Sequence, residues 1–206
     1  MRQAIVAHQK RFYGFDLDPD SQVLVTVGAT EAIAAALLAL LEPGDEAIAF
    51  EPYYDSYAAS VAMAGATRVP VTLRPPDFRP DLDALRAAIT PRTRMILLNS
   101  PHNPTGVVFT PDELARVAEL ACEHDLLVVS DEVYEHMVFD GTHLPITSLP
   151  GMAGRTVTIS GLPVTQPTFH PVNENVLAAE LIVTVRPAMP GSEAIGRCAP
   201  SNTMCS

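Results

Sequence analysis

Apolar runs of four to six residues alternate along the chain with longer segments whose apolar residues recur at helical spacing. Alternation of this kind predicts βαβ units, because two neighbouring parallel strands need a crossover helix between them. We therefore expect an α/β fold, with a mostly parallel sheet that carries helices on both faces. The predicted strands are Val23–Val27, Ala47–Phe50, Arg68–Leu73, Met95–Asn99, Leu126–Ser130 and Thr156–Ser160, and the predicted helices are Thr30–Leu41, Tyr53–Ala64, Leu82–Ile89 and Pro111–His124.

Composition excludes several classes of function. Of the 206 residues, 48% are hydrophobic and 18% are charged, which is typical of a globular α/β interior. A net charge of −11 argues against a nucleic-acid partner or an anionic membrane surface. The longest uncharged apolar run, Ala32–Leu41, is too short to span a bilayer, and no signal-peptide pattern precedes it, so we expect a cytoplasmic protein. The three cysteines have neither a disulfide pattern nor a metal-binding spacing, and no metal site is predicted.

A glycine-containing turn follows the first predicted strand and opens the next predicted helix, at Gly28, Ala29 and Thr30. Free backbone N–H groups and the helix dipole at such a point favour a phosphate group. Gly28 allows the backbone to come close to a phosphate, and the Thr30 hydroxyl can donate a hydrogen bond to it or cap the helix. For this segment taken alone, an ordinary capped helix is the favoured alternative. The helix itself is apolar almost all round, which predicts that it is buried.

Two more polar groups follow predicted strands. Asn103 lies in the turn Asn99–Gly106, whose two prolines stiffen the backbone. Asp131 ends the fifth predicted strand, where a buried carboxylate needs a partner such as a protonated pyridine nitrogen. Tyr134 is placed to reach the phenolic oxygen of the same ring. The alternatives are an Asn-Pro segment that serves only as a turn, and an aspartate that only caps a helix.

Three tyrosines in the segment Glu51–Tyr57 follow the second predicted strand. A flat ring stacked there would cover the face of a pyridine, although an aromatic residue after a strand is more often part of the core. Ligands of parallel sheets bind beyond the carboxyl ends of the strands, where all four segments are expected to meet. Together they favour one flat, phosphorylated ring, pyridoxal 5′-phosphate (PLP).

The chain contains a single lysine, Lys10, which lies outside all of these motifs. PLP chemistry normally starts from a lysine that forms a Schiff base with the cofactor. The sequence therefore predicts a cofactor site without its usual nucleophile.

These segments resemble the class I/II, fold-type I PLP-dependent aminotransferases, in particular the branch that contains the N-succinyldiaminopimelate, methionine and kynurenine aminotransferases. The resemblance extends from residue 1 to about residue 161, and the combination of motifs is highly specific. The segments that carry it are Arg2–Gly14, Val25–Ala32, Glu51–Tyr57, Asn99–Gly106 and Ser130–His136.

The resemblance implies cofactor-binding roles for six residues but assigns no catalytic residue. In the family's pattern the phosphate is bound by Ala29 and Thr30, the ring is stacked by Tyr54, the phenolic oxygen is held by Asn103 and Tyr134, and the ring nitrogen is paired with Asp131. The resemblance also implies an amino acid and a 2-oxo acid as substrates, and a homodimer with shared sites. Five histidines match no family role and are expected to be core or surface residues: His8, His124, His136, His143 and His170.

The chain departs from the family after Gly161. There the family continues to its Schiff-base lysine and a phosphate-binding arginine, whereas this chain has Val164 about where the lysine is expected. The family's small domain and N-terminal arm have no counterpart. We therefore expect residues 1–161 to be a partial large domain and residues 162–206 to be a non-homologous, poorly ordered tail. A frameshift, a pseudogene or a wrongly delimited gene would produce such a chain.

The same departure predicts an unpaired strand edge. In the family, an antiparallel strand formed beyond the lysine pairs beside the first strand, which corresponds to Val23–Val27. The β-rich run Val176–Val185 is our hypothesis for a substitute partner.

Three functional interpretations stay open at this point. The first is a transaminase-type protein that has little or no activity, because it lacks the lysine, the substrate-binding arginine and the small domain. The second is a non-catalytic remnant that associates with a full-length homologue or another partner through exposed apolar surface. The third is a gene product that does not fold. Among enzymes, C–S lyases and aminocyclopropane-carboxylate synthases share the same motifs.

Overall fold

A computed structural model of the chain describes residues 1–161, which contain five α-helices and five strands. A short 3₁₀ helix, Ile146–Ser148, precedes the last strand. In chain order the elements are α1 (Arg2–Tyr13), α2 (Gly28–Leu40), β1 (Glu46–Glu51), α3 (Ser56–Met63), β2 (Thr67–Thr72), α4 (Leu82–Ala88), β3 (Thr93–Asn99), α5 (Pro111–Glu123), β4 (Leu127–Asp131) and β5 (Thr156–Ile159).

The five strands form one sheet in the order β2-β1-β3-β4-β5, and every neighbouring pair is parallel. Parallel neighbours need crossover connections, and α3, α4 and α5 supply three of them. The predicted α/β class is therefore confirmed. The ends of these five strands differ from the predicted ends by at most two residues.

Successive residues of the central strands enter two different cores. In β1, Ile48 and Phe50 pack into a core formed with α4 and α5, whereas Ala47 and Ala49 pack into a core formed with α2 and α3. This alternation follows from the two-residue period of a strand. Because helices cover both faces, both sets are apolar, and the strand appears in the sequence as an unbroken hydrophobic run.

Helix α5 begins with the capping box that its sequence predicts. The Thr110 hydroxyl accepts a hydrogen bond from the Glu113 N–H at 3.2 Å, and the Glu113 carboxylate accepts one from the Thr110 N–H at 2.7 Å. Pro111 occupies the first helical position, where no N–H is required. The Glu113 carboxylate also pairs with Arg79, which ties the start of α5 to the segment before α4.

The predicted strand Val23–Val27 is wrong. Within residues 1–161 this segment belongs to no strand of the five-stranded sheet: residues 23–26 are irregular backbone, and Val27 forms only an isolated β-bridge just before α2. Val23 is buried beside Ile5 of α1, whereas Val27 is 90% exposed. A β-rich run becomes a strand only where a neighbouring strand satisfies its backbone hydrogen bonds, and composition alone does not supply that neighbour.

Helix α2 buries one side, not its whole circumference as predicted. Ile33 and Leu37 are fully buried in the core shared with α3, but Leu38 is 47% exposed. The apolar composition of α2 therefore leaves an uncovered hydrophobic side within the described part of the chain.

No helix among residues 1–161 is both long and apolar enough to cross a membrane. The predicted tail, residues 162–206, lies outside the described residues. The proposed substitute strand Val176–Val185 falls in the same region.

We expect Thr110→Ala to lower the free energy of unfolding by about 1 kcal/mol, because the Glu113 N–H loses its side-chain acceptor. Urea titration monitored by circular dichroism measures this change. The matched control is Thr142→Ala in an exposed loop, with an expected change below about 0.5 kcal/mol. Equal losses in the two variants would contradict the capping role of Thr110.

Candidate functional site

The carboxyl ends of β1, β3 and β4 lie next to one another at one edge of the sheet. The first strand, β1, lies inside the sheet: the chain adds β2 on one side of it and then continues with β3 on the other. Ligands of open parallel sheets bind at such a switch point, beyond the carboxyl ends. The segments that follow these ends are Glu51–Tyr57, Asn99–Gly106 and Asp131–Tyr134.

Asp131 is the buried charge of this edge. It ends β4 and is 7% exposed. The Tyr57 hydroxyl donates to its Oδ2 at 2.5 Å, and the Val133 N–H donates to its Oδ1 at 3.3 Å. Burial raises the pKa of Asp131 to about 6, while these two hydrogen bonds favour the charged form and limit the rise. No lysine or arginine of residues 1–161 offsets the charge.

Aromatic contacts connect Asp131 to the start of α2. The Tyr57 ring lies edge-on to the Tyr54 ring, with 5.9 Å between the centroids. The Tyr54 hydroxyl lies 3.0 Å from the Thr30 hydroxyl. Three of the predicted site residues, Thr30, Tyr54 and Asp131, therefore belong to one continuous set of contacts.

Helix α2 presents its N-terminus to this set of contacts through Thr30. Gly28 has a φ of 84°, a left-handed conformation that glycine adopts without strain. No side chain caps the helix at Val27. The Ala29 side chain packs against the core shared with α3, so its backbone N–H is the group that it can offer to a ligand. Uncapped N–H groups at a helix N-terminus favour an anion.

Asn99 holds the turn that contains Asn103. The Asn99 side-chain amide donates to the Asp131 carbonyl at 2.8 Å and to the Pro101 carbonyl at 3.1 Å. The Asn99 Oδ1 accepts a hydrogen bond from the Asn103 N–H at 2.6 Å. Asn103 is thus connected to the end of β4 by its backbone, through a side chain that is buried.

Tyr134 lies in the turn after β4 and is half-buried. The pKa of the neighbouring Tyr57 phenol is raised well above its ordinary value, mainly by burial, then by the Asp131 charge, with a smaller contribution from Tyr134. Tyr57 consequently keeps its proton at neutral pH and remains a hydrogen-bond donor to Asp131.

Sequence reasoning assigned no role to Tyr57 or Asn99. Tyr57 follows Tyr54 by three residues, and a repeated tyrosine beside a strand end is the one signal that points to it. Asn99 is the last residue of β3 and pairs in register with Asp131. That register becomes visible only in the folded sheet.

Lys10 makes its contacts elsewhere. Its side chain is 63% exposed on α1 and forms an ion pair with Asp16 at 2.6 Å. None of the site residues described above contacts it. Because the chain has no other lysine, no lysine amino group reaches this edge.

The chemistry of this edge fits PLP held without a covalent bond. The cofactor carries a phosphate, a pyridine nitrogen and a phenolic oxygen. The edge offers an uncapped helix N-terminus and the buried carboxylate of Asp131, and the turns after β3 and β4 contain Asn103 and Tyr134. Asp131 is the strongest argument for this fit, because a protonated ring nitrogen would offset its negative charge, which is costly to bury.

Residues 1–161 match the model of a known protein family, described as aminotransferase class I and II. A probable N-succinyldiaminopimelate aminotransferase of Mycobacterium tuberculosis is 58% identical over 163 residues, which cover 78% of this chain and 41% of that protein. A methionine aminotransferase of Escherichia coli is 41% identical over 161 residues, covering 78% and 42% of the two chains.

Solved structures give the same picture. The N-succinyldiaminopimelate aminotransferase of Mycobacterium tuberculosis superposes with a TM-score of 0.76 at 58% identity, covering 78% of this chain and 42% of that one. An aromatic aminotransferase of Pyrococcus horikoshii has a TM-score of 0.79 at 36% identity, covering 89% and 48%. The chain thus spans less than half the length of these relatives.

We expect Asp131→Asn to change how stability depends on pH. The pKa of Asp131 in the folded state, about 6, lies above the value near 3.9 of an unfolded chain. Between these values the folded state binds more protons, so the Asp131 contribution to the free energy of unfolding falls as pH rises from about 4 to about 6. The total loss is about 3 kcal/mol and stays constant at higher pH.

Urea titrations at several pH values between 4 and 7.5 measure this effect. Relative to the wild type, Asp131→Asn should gain stability as pH rises through this window. The matched control is Asp140→Asn in an exposed loop. If the stability curves of Asp131→Asn and the wild type ran parallel over this pH range, the buried Asp131 charge would not be a source of the pH dependence.

Proposed function

Since the chain belongs to the class I and II aminotransferase family, we propose that it is a transaminase-type protein that holds PLP without a covalent bond and has little or no activity on its own. Residues 1–161 are proposed to form part of the family's large domain. The observation that carries the proposal is the contact path from Thr30 through Tyr54 and Tyr57 to the buried Asp131.

Each proposed cofactor ligand has a distinct task. Ala29 and Thr30 bind the phosphate at the N-terminus of α2, and Tyr54 stacks on the pyridine ring. Asp131 holds a proton on the ring nitrogen, and its hydrogen bond from Tyr57 keeps the carboxylate in place. The remaining contacts go to the phenolic oxygen, from Asn103 and Tyr134.

When bound, PLP supplies an electron sink for negative charge at the α-carbon of an amino acid. Asp131 supports that role because it keeps the ring nitrogen protonated. The family reaction transfers an amino group between an amino acid and a 2-oxo acid, and we propose these as the substrate classes. The reaction also needs a base that moves a proton at the α-carbon, which is worth about 10²–10⁴-fold in rate.

Among residues 1–161, no lysine is in position for that proton transfer. Lys10, the only lysine of the chain, pairs with Asp16 on α1. Val164 stands about where the family has its lysine. We therefore propose that this chain binds the cofactor but catalyses little or no amino-group transfer.

A second candidate function is a non-catalytic partner of a full-length homologue. The observation that favours it is the exposure of three large apolar side chains in and just before α2, Leu24, Val27 and Leu38. Exposed apolar surface is a feature of interaction sites. A second copy of this chain is the alternative occupant, as in a homodimer.

We expect PLP to bind the purified chain reversibly and to be removed by dialysis. Asp131→Asn should weaken binding about 10–100-fold, because one hydrogen bond to a charged group is lost. Its stability at neutral pH is expected to equal or exceed that of the wild type, so weaker binding cannot be ascribed to unfolding. Absorbance titration with PLP measures the affinity, and Asp140→Asn is the matched control.

Lys10→Arg tests whether the only lysine is involved. It should leave the PLP affinity unchanged, and neither protein should transfer amino groups from amino acids to 2-oxo acids at a measurable rate. Loss of PLP binding in Lys10→Arg would show that the cofactor reacts with an exposed amine instead of the proposed site. Robust turnover by the wild-type chain would overturn the proposed inactivity.

The partner function predicts that Leu38→Glu abolishes association with a full-length member of the family, because a charge would be buried in the interface. Size-exclusion chromatography with light scattering measures both this association and self-association. Met63→Glu, which replaces another exposed apolar helix residue, is the matched control. A homologue that never co-elutes with the wild-type chain would rule out this function.

A further inference from the structure

Two histidines and a glutamate from distant parts of the sequence meet between α1 and the turn after β4. His8 of α1 and His136 approach each other with 2.8 Å between their Nε2 atoms. The His136 Nε2 atom lies 3.9 Å from Oε1 of Glu135. One potential ligand atom from each of the three residues lies within 4.8 Å of the others.

The carboxylates of this region are buried without a permanent cation. The Glu135 side chain is fully buried, and its oxygens accept hydrogen bonds from the neutral hydroxyls of Tyr13 and Ser160. Glu132 is 2% exposed and has His143 at 2.7 Å. Within residues 1–161 neither glutamate forms an ion pair with lysine or arginine. Histidines are the only side chains there that can offset the two negative charges, and buried charge without compensation is costly.

We propose that His8, His136 and Glu135 bind a divalent transition-metal ion, with Zn²⁺ as the expected species. Imidazole nitrogen and carboxylate oxygen are ligands that Zn²⁺ and Co²⁺ accept, and three protein ligands leave a position for water. The site would add positive charge at the place where the fold has buried negative charge.

The distance between the imidazoles suits two ligands of one ion. Metal–nitrogen bonds of about 2.0–2.1 Å separate two nitrogens by about 2.9 Å at a right angle and about 3.4 Å at the tetrahedral angle. The observed 2.8 Å between the Nε2 atoms is close to the first value and needs a small opening for the second. Without an ion, the Nε2 atom of one ring must donate its proton to the Nε2 atom of the other.

The surrounding hydroxyls are arranged as supports for the carboxylate ligand. Tyr13 donates to one oxygen of Glu135 and Ser160 donates to the other, so the orientation of the carboxylate is fixed from two sides. Hydrogen bonds to metal-binding groups orient them and tune their affinity.

An ion at this position would fasten α1 to the sheet. Among residues 1–161, the buried apolar cluster of α1 is small, contains Ile5, Val6 and Val23, and is separate from the two main cores. A metal ion held by His8 on α1 and by His136 after β4 would bridge these elements. Binding of a metal to the folded state alone also stabilises that state.

Titration of the full chain with Co²⁺ in the absence of PLP tests the proposal, because cobalt bound by nitrogen and oxygen ligands has visible absorption. We expect one Co²⁺ ion per chain, displaced by Zn²⁺. His8→Gln and His136→Gln should each weaken binding by about 100-fold or more. The matched control is His124→Gln, which removes another histidine beside a glutamate, at the end of α5.

Two further measurements make the result decisive. Thermal unfolding in EDTA should give similar midpoints for the wild type and His8→Gln, and Co²⁺ should raise only that of the wild type. The triple variant His170→Gln/Cys198→Ser/Cys205→Ser removes candidate ligands from residues 162–206 and should bind Co²⁺ like the wild type. Absence of Co²⁺ binding to the wild type, unchanged affinity in His8→Gln, or loss of binding in the triple variant would each overturn the proposal.

Discussion

The parallel register between β3 and β4 is the constraint on which the candidate cofactor site depends. It pairs Asn99 with Asp131, the last residue of each strand. Because of that pairing, the Asn99 amide reaches the Asp131 carbonyl while its oxygen holds the backbone of Asn103. A slip of one residue would turn each side chain to the opposite face of the sheet. The core residues of both strands therefore determine the position of the polar edge.

Two consecutive carboxylates at the end of β4 contact different parts of the structure. Asp131 contacts Tyr57 of α3, whereas Glu132 contacts His143 and lies beside Glu135. Each carboxylate is almost fully buried, so each lowers stability unless a partner offsets its charge. Several buried carboxylates therefore lie within five residues, and the candidate binding groups are concentrated there. The stability of the fold depends on which cations or hydrogen-bond donors offset these charges.

Much of the fold is predictable from the sequence because the signals are local. The runs that became β1, β3 and β4 are apolar on both faces, and helices cover both faces of the sheet. Val23–Val27 has equally favourable composition but belongs to no strand of the described sheet, since pairing depends on a neighbour that composition does not provide.

The site shows the same division between local and distant information. Motifs within a few residues of a strand end predicted cofactor-binding roles for Asp131 and Asn103, whereas the contacts that Tyr57 and Asn99 make with Asp131 join distant parts of the sequence. His8 and His136 are separated by 128 positions in the sequence. No pattern of spacing joins them, and only the packing of α1 against the turn after β4 brings them together.

Cofactor affinity and catalysis depend on different groups, which is why a chain can retain one without the other. Affinity requires groups that are complementary to the resting cofactor, and in the proposed site these are Asp131 and the N-terminus of α2. Rate requires interactions that exist only in the transition state, and the proton-transferring amine belongs to that class. The proposed binding groups lie at the end of β4 and at the start of α2, both within residues 1–161. The proton-transferring amine must come from a lysine, and the only one in this chain is engaged on the surface of α1.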